Sequence, residues 1–202
     1  MLNSFKLSRL NIADWISVSR VIFSSLLIGL IVNDYRTIFQ WVLLVALFTD
    51  ALDGFIAHRL KIVSPHGAAL DSFADAYLFL VCVGAVIYFE TDFIINHINF
   101  IVPAMGIYII QLSLAYFKYG KPSSFHTYLA KTAALIQGSF FLVLFFYEAV
   151  EWLFYLTIAI SLLETVEEIT LIFILPKWKA DVKGIFWLPT KNKLSKRYLD
   201  EK

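Results

Sequence analysis

Charge is scarce in this 202-residue chain: Asp, Glu, Lys and Arg make up 16% of it, against 59% hydrophobic and 17% aromatic residues. A water-soluble domain of this length carries about 25% charged and roughly 45–50% apolar residues, so composition alone places the chain in the membrane class. The net charge is +1, which excludes the bulk basic field that nucleic-acid partners require. Cysteine is nearly missing too. Cys82 stands alone inside an apolar run, so an intrachain disulfide framework and a multi-thiolate metal site are both excluded, and a core position is expected for it. Internal repeats and low-complexity linkers are lacking, and residues 1–202 read as a single membrane domain. Near the start, Lys6 and Arg9 precede an apolar stretch as in a signal peptide. That stretch contains Arg20, lacks a small-residue cleavage site and is long enough to span, so it reads as a retained first helix.

A spanning helix needs about 20 mostly apolar residues, and six runs qualify, at about 15–32, 38–57, 67–89, 100–117, 128–147 and 152–175. The intervening breaks fall at 33–36, 61–66, 90–99, 119–125 and 148–151, and Ser64-Pro65 suits the start of the third helix. Lys6 and Arg9, Arg59 and Lys61, Lys118 and Lys121, and the eight Lys and Arg of the tail all fall on one side of this arrangement. The other side holds Arg36 beside Asp34, Glu90, Asp92, Glu148 and Glu151. The expected fold is therefore an all-α membrane protein of six transmembrane helices with N-terminal and C-terminal cytosolic interfacial segments, in a cell or inner membrane. The tail places Trp178 and Trp187 among Lys177, Lys179 and Lys183, a pattern that suits a helix lying on anionic membrane lipids.

Carboxylates stand where a membrane disfavours them. Asp50 and Asp53 share a face at the end of the second helix, and Asp71 and Asp75 share one at the start of the third. A short loop makes the two helices expected antiparallel neighbours, so the four can converge near the cytosolic end. An aspartate at the centre of a spanning helix costs about 2.5–3.5 kcal/mol on insertion scales, and four together repel unless a positive charge lies between them. Divalent cations answer both costs, and a set of oxygen ligands alone suits Mg2+ or Mn2+. Gly54 and Gly67 leave room for a backbone or a phosphate to approach. Pairing with Arg20, Arg59 or Lys131 is the plainer alternative.

As it stands the stretch reads Asp50-x2-Asp53-Gly54-x2-Ala57-His58-x8-Gly67-x3-Asp71-x3-Asp75. It closely resembles the signature of the CDP-alcohol phosphotransferases, D-x2-D-G-x2-A-R-x8-G-x3-D-x3-D, matching seven of its eight specified positions over 26 residues. The departure is His58 in place of arginine, with Arg59 following it. Arginine is always charged and can bind a pyrophosphate bidentately, whereas an unperturbed histidine is mostly neutral at pH 7. A weaker likeness lies in the first helix, where Asp14-x2-Ser17-x2-Arg20 is similar to the family's N-x2-T-x2-R pattern.

The resemblance implies transfer of a phosphatidyl-type group from a CDP-linked lipid such as CDP-diacylglycerol to an alcohol, with release of CMP, by an enzyme that is commonly a homodimer. It implies two divalent ions on Asp50, Asp53 and Asp71, with Asp75 as general base and as a further ligand. It also implies a nucleotide site drawn from Gly54, Ala57, His58, Arg59, Gly67, Ser17 and Arg20. Lys131 reads either as a grip on an acceptor phosphate or as a partner for buried carboxylates. His126 and Glu164 are the other candidates on the acceptor side. An acidic face of Glu164, Glu167 and Glu168 would favour a cationic alcohol, and Ala76 stands where members using glycerol phosphate carry lysine. The rival reading on residue chemistry is a divalent-cation transporter or binding protein. It would need polar positions continuing through the bundle, whereas residues 41–48, above Asp50, are apolar. A third reading, a non-catalytic relative disabled at His58, sits poorly with four retained aspartates, because an unused acidic cluster only costs stability.

Overall fold

A backbone that crosses lipid must satisfy its N–H and C=O groups within itself, and long apolar runs therefore become helices. The computed structural model describes residues 12–60, 65–123, 125–179 and 182–188, with the side chains of 12–14, 50–60, 65–66 and 68–69 outside that description. Six α-helices follow one another: α1 (Ile12–Val32), α2 (Arg36–Leu60), α3 (Pro65–Phe89), α4 (Thr91–Tyr119), α5 (Tyr128–Phe146) and α6 (Glu151–Ile174). A 3-10 turn, Ile185–Trp187, follows, and the described residues contain no strand.

Four of the helices, α1, α3, α4 and α5, are long and apolar enough to cross a membrane. The described side chains of α2 form a shorter apolar stretch, Arg36–Thr49, and α6 is interrupted by Glu164, Glu167 and Glu168. Ser64 and Lys61, read above as part of the turn into the third helix, lie outside the described residues.

The fourth helix corrects the expected boundary. The break expected at 90–99 shrinks to Glu90, and α4 begins at Thr91. Polar residues in this stretch find partners that let the helix extend. The Thr91 hydroxyl donates to Ile87 O at 3.0 Å. His97, 8% exposed, lies 2.9 Å from Phe93 O and 3.0 Å from a Glu151 carboxylate oxygen on α6. At its far end α4 stops on Gly120, whose φ of 71° is left-handed and suits glycine. Helix α5 begins on Thr127, whose hydroxyl accepts from Ala130 N at 3.0 Å.

Packing divides the bundle into two three-helix halves. Helix α1 packs on α2 and α3, α6 packs on α4 and α5, and the halves meet through α2 with α5 and α3 with α4. Among the described residues, α2 and α3 share α1 as a common partner. They meet at the end away from Asp71, where the Phe39 and Phe89 rings lie 5.6 Å apart. Phe145 of α5 sits edge-on to Phe39 at 4.9 Å, and Cys82 is buried in this core as expected. Ala46 and Ala85, both fully buried, let helix backbones approach where lipid supplies no hydrophobic drive for association. Arg36 closes the same end by pairing with Glu90.

Where an interfacial helix was expected after α6, the described part of the tail is irregular and folds back on the bundle. Val182 is buried with Phe125, Ala115, Leu171 and Leu175 in a second small core. Trp178 donates its indole N–H to Pro122 O at 3.0 Å, with the Lys121 ammonium 3.4 Å above its ring. These partners lie in the α4–α5 loop, which satisfies the polar edge of Trp178 without a lipid headgroup.

Candidate active site

Two turns of α3 and two turns of α1 build the described part of the site. Asp71 and Asp75 are one turn apart and project from one face of α3. Across from them, Ser17 and Arg20 project from one face of α1. The Arg20 guanidinium, 1% exposed, donates to Asp71 Oδ1 at 3.0 Å and also to Asp75 Oδ1. The Ser17 hydroxyl donates to the same Asp71 oxygen at 3.2 Å. Both carboxylates are thus drawn to one point by one cation, which offsets the repulsion that two neighbouring carboxylates would otherwise carry. The pairing with Arg20 held above as the plainer alternative is therefore present for these two aspartates.

The remaining signature positions, Asp50, Asp53, Gly54, Ala57, His58 and Arg59, occupy the last turns of α2. Their side chains lie outside the described residues, as does the side chain of Asp14. Gly67 sits in the first turn of α3, one turn before Asp71. Among the described residues no three acidic, histidine or cysteine side chains form a metal cluster. The donor chemistry of the described half nonetheless fits a divalent cation. Asp71 and Asp75 offer hard oxygen ligands that already converge on a positive charge.

On the far side of Asp71 stands His126, its Nε2 4.0 Å from Asp71 Oδ2. Sequence placed it on the acceptor side without a partner; the fold brings it to the signature carboxylate. Lys131 is exposed near the start of α5, within the apolar helix Tyr128–Phe146.

Glu164, Glu167 and Glu168 do share one region, but the last two are tied to neutral donors. Glu168, 8% exposed, accepts from the Gln111 amide and from the Ser123 hydroxyl, the latter at 2.6 Å. Gln111 also donates to Ser123 at 2.9 Å, closing a triangle between α4, the α4–α5 loop and α6. Tyr108 of α4 packs edge-on against Phe79 of α3 at 5.3 Å between the ring centroids. Sequence reading missed Gln111 and Ser123. A lone amide within the apolar run 107–115 was the signal for Gln111; nothing singled out Ser123.

A transmembrane bundle with two convergent aspartates beside an arginine, at the spacing of a known signature, defines a membrane enzyme that handles phosphate. The family model for CDP-alcohol phosphatidyltransferase matches residues 10–163, and the chain belongs to that family. No curated protein and no solved structure matches it. Membership carries the reaction class, transfer of a phosphatidyl group from a CDP-alcohol to an alcohol at a membrane, in a family that generally depends on divalent metal.

Proposed function

We propose that the chain transfers a phosphatidyl-type group from CDP-diacylglycerol to an alcohol and releases CMP, at the cytosolic edge of a single six-span domain with both termini cytosolic. The observation that supports this most is the convergence of Asp71 and Asp75 on Arg20 at the signature's own spacing. The uneven placement of Lys and Arg supports the orientation, and the water-soluble nucleotide would reach the site from that side.

In this reading Asp50, Asp53 and Asp71, joined by Asp75, would hold two ions of Mg2+ or Mn2+. When bound, these ions supply charge neutralisation for the pyrophosphate and the departing nucleotide. The chain's own residues do the rest. Asp75 takes the proton of the acceptor hydroxyl, for which it must lie within about 2.6–3.2 Å of that oxygen. The alcohol oxygen forms its bond to the lipid-proximal phosphorus. The bond from that phosphorus to the oxygen of CMP breaks, and CMP leaves with the electron pair. Ser17 and Arg20 fix the Asp71 carboxylate and give the site a cation for an anionic donor. Gly54, Ala57 and Gly67 are assigned to the nucleotide side, His58 and Arg59 to the pyrophosphate, and Lys131, His126 and Glu164 to the acceptor side. A homodimer is an expectation of the resemblance.

The test is CMP release from CDP-diacylglycerol by the purified protein in detergent, with Mn2+ or Mg2+ and a panel of neutral, anionic and cationic alcohols. Acceptor-dependent release identifies both reaction and alcohol. Binding of metal and nucleotide without release for any acceptor would sink the transfer reading and direct attention to His58.

A further inference from the structure

His126 adopts a left-handed backbone conformation, with φ at +49°, uncommon outside glycine although histidine takes it more readily than most residues. Such a conformation persists only where the surroundings over-determine it, and here they do so from both sides. On one side Phe125, fully buried, accepts from Val182 N through its carbonyl at 2.7 Å. On the other, the buried Thr127 donates its hydroxyl to Glu167 Oε2 at 2.7 Å. Tyr128 N donates to Lys183 O at 3.4 Å. Glu167 then reaches the returning tail directly, because its Oε1 accepts from Ile185 N at 3.2 Å.

The tail is shaped for this grip. Gly184 has a φ of +139°, and a Cβ there would stand 3.0 Å from Glu167 Oε1 and 3.3 Å from the Trp187 ring. Glycine alone fits that passage. The Trp187 ring packs 5.4 Å from Tyr128. Residues 182–188 therefore form a strap that, with Glu167, clamps the residues before and after His126. Both the strap and Glu167 lie beyond the stretch matched by the family, residues 10–163.

The clamped imidazole faces Asp71. Asp71 divides its oxygens: Oδ1 receives Ser17 and Arg20 from α1, and Oδ2 looks toward His126 Nε2 at 4.0 Å. That distance is too long for a hydrogen bond, so the imidazole borders the carboxylate without being spent on it. We propose that His126 is a substrate contact, donating an N–H to a non-bridging oxygen of the phosphoryl group held beside Asp71, and that Glu167 with the 182–188 strap is the device that positions it. This rests on the transferase reading above. As charge builds on the phosphoryl oxygens a fixed donor there gains strength, which is where an enzyme draws its advantage.

Four variants of the full chain in detergent test it, each read by CMP release and by thermal midpoint. His126→Gly removes the imidazole and relieves the backbone. Its kcat should fall about 100-fold with little change in KM for CDP-diacylglycerol, while its midpoint should rise by about 2–4 °C. His126→Asn, which tolerates the left-handed region and carries an N–H, should keep more activity than glycine. Glu167→Ala should lower kcat alone yet add nothing to His126→Gly, and should abolish the gain in midpoint that glycine brings. Glu167→Gln, which still accepts from Ile185 N, should stay near wild type and shows that a loss in Glu167→Ala is not misfolding. A fully active His126→Gly, or additive losses with Glu167→Ala, would overturn the proposal. A wild type that releases no CMP would overturn the substrate contact together with the transferase reading, and the midpoints would still decide the clamp.

Discussion

In the α1–α3 half, Asp71 and Asp75 are held by a guanidinium; in the α4–α6 half, Glu168 is held by an amide and a hydroxyl. Both arrangements keep carboxylates inside a bundle rich in apolar side chains, but they do different things. A carboxylate paired with a cation can exchange that cation for another, so the first half suits a site that takes up metal and releases it. A carboxylate satisfied by neutral donors forms a fixed strut between α4, the loop and α6. The strap extends the strut, through Glu167, to the edge of the first half's site.

The largest break in that comparison should come from Asp75→Asn. The amide keeps the shape of the side chain and loses the base, so transfer should fall about 10²–10⁴-fold with the fold retained, as judged by CMP release and thermal midpoint. Arg20→Ala comes next. It leaves two carboxylates without their guanidinium and should cost about 3–5 kcal/mol. Mn2+ should then raise the melting temperature more in Arg20→Ala than in wild type, because the ion supplies the missing charge. An equal rise in both proteins would argue that the ion binds elsewhere.

Glu168 should respond to shape and hydrogen bonding more than to charge. Glu168→Leu strands the Gln111 amide and the Ser123 hydroxyl and should cost about 1–3 kcal/mol, whereas Glu168→Gln, which retains an acceptor oxygen, should cost less. A loss of transfer in Glu168→Gln as large as that in Glu168→Leu would mean that its charge serves catalysis and would erase the contrast between the halves. The smallest effect belongs to the outer pair. Arg36 and Glu90 are partly exposed, and Arg36→Gln should shift stability by about 0–1 kcal/mol, checked by thermal midpoint at low and high salt.

Much of the first half was legible in the sequence because its information is local. Asp71 and Asp75 announce a shared face by their spacing, and α1, α3 and α5 announce themselves by long, mostly apolar runs. The start of α4 was not legible: His97 and Asn99 look like loop residues until Glu151, distant in sequence, provides the buried histidine with a partner. The strap was hidden for a similar reason. Lysines and tryptophans in the tail suggest a lipid surface, and only the placement of Pro122, Phe125 and Glu167 shows that protein groups receive Trp178, Val182 and Ile185. Arg20 lies between these cases. Its place in the first helix was noticed, but its pairing with both aspartates required α1 to pack on α3.

The central claim is that phosphoryl transfer occurs at Asp71 and Asp75. The most direct measurement gives the purified protein CDP-diacylglycerol labelled at the lipid-proximal phosphorus, together with divalent metal and the alcohol that supports CMP release. The account predicts that label passes into a new lipid ester of that alcohol, that unlabelled CMP is released in equal amount, and that Asp75→Asn does neither. Label leaving with the nucleotide, or transfer at the wild-type rate in Asp75→Asn, would contradict it.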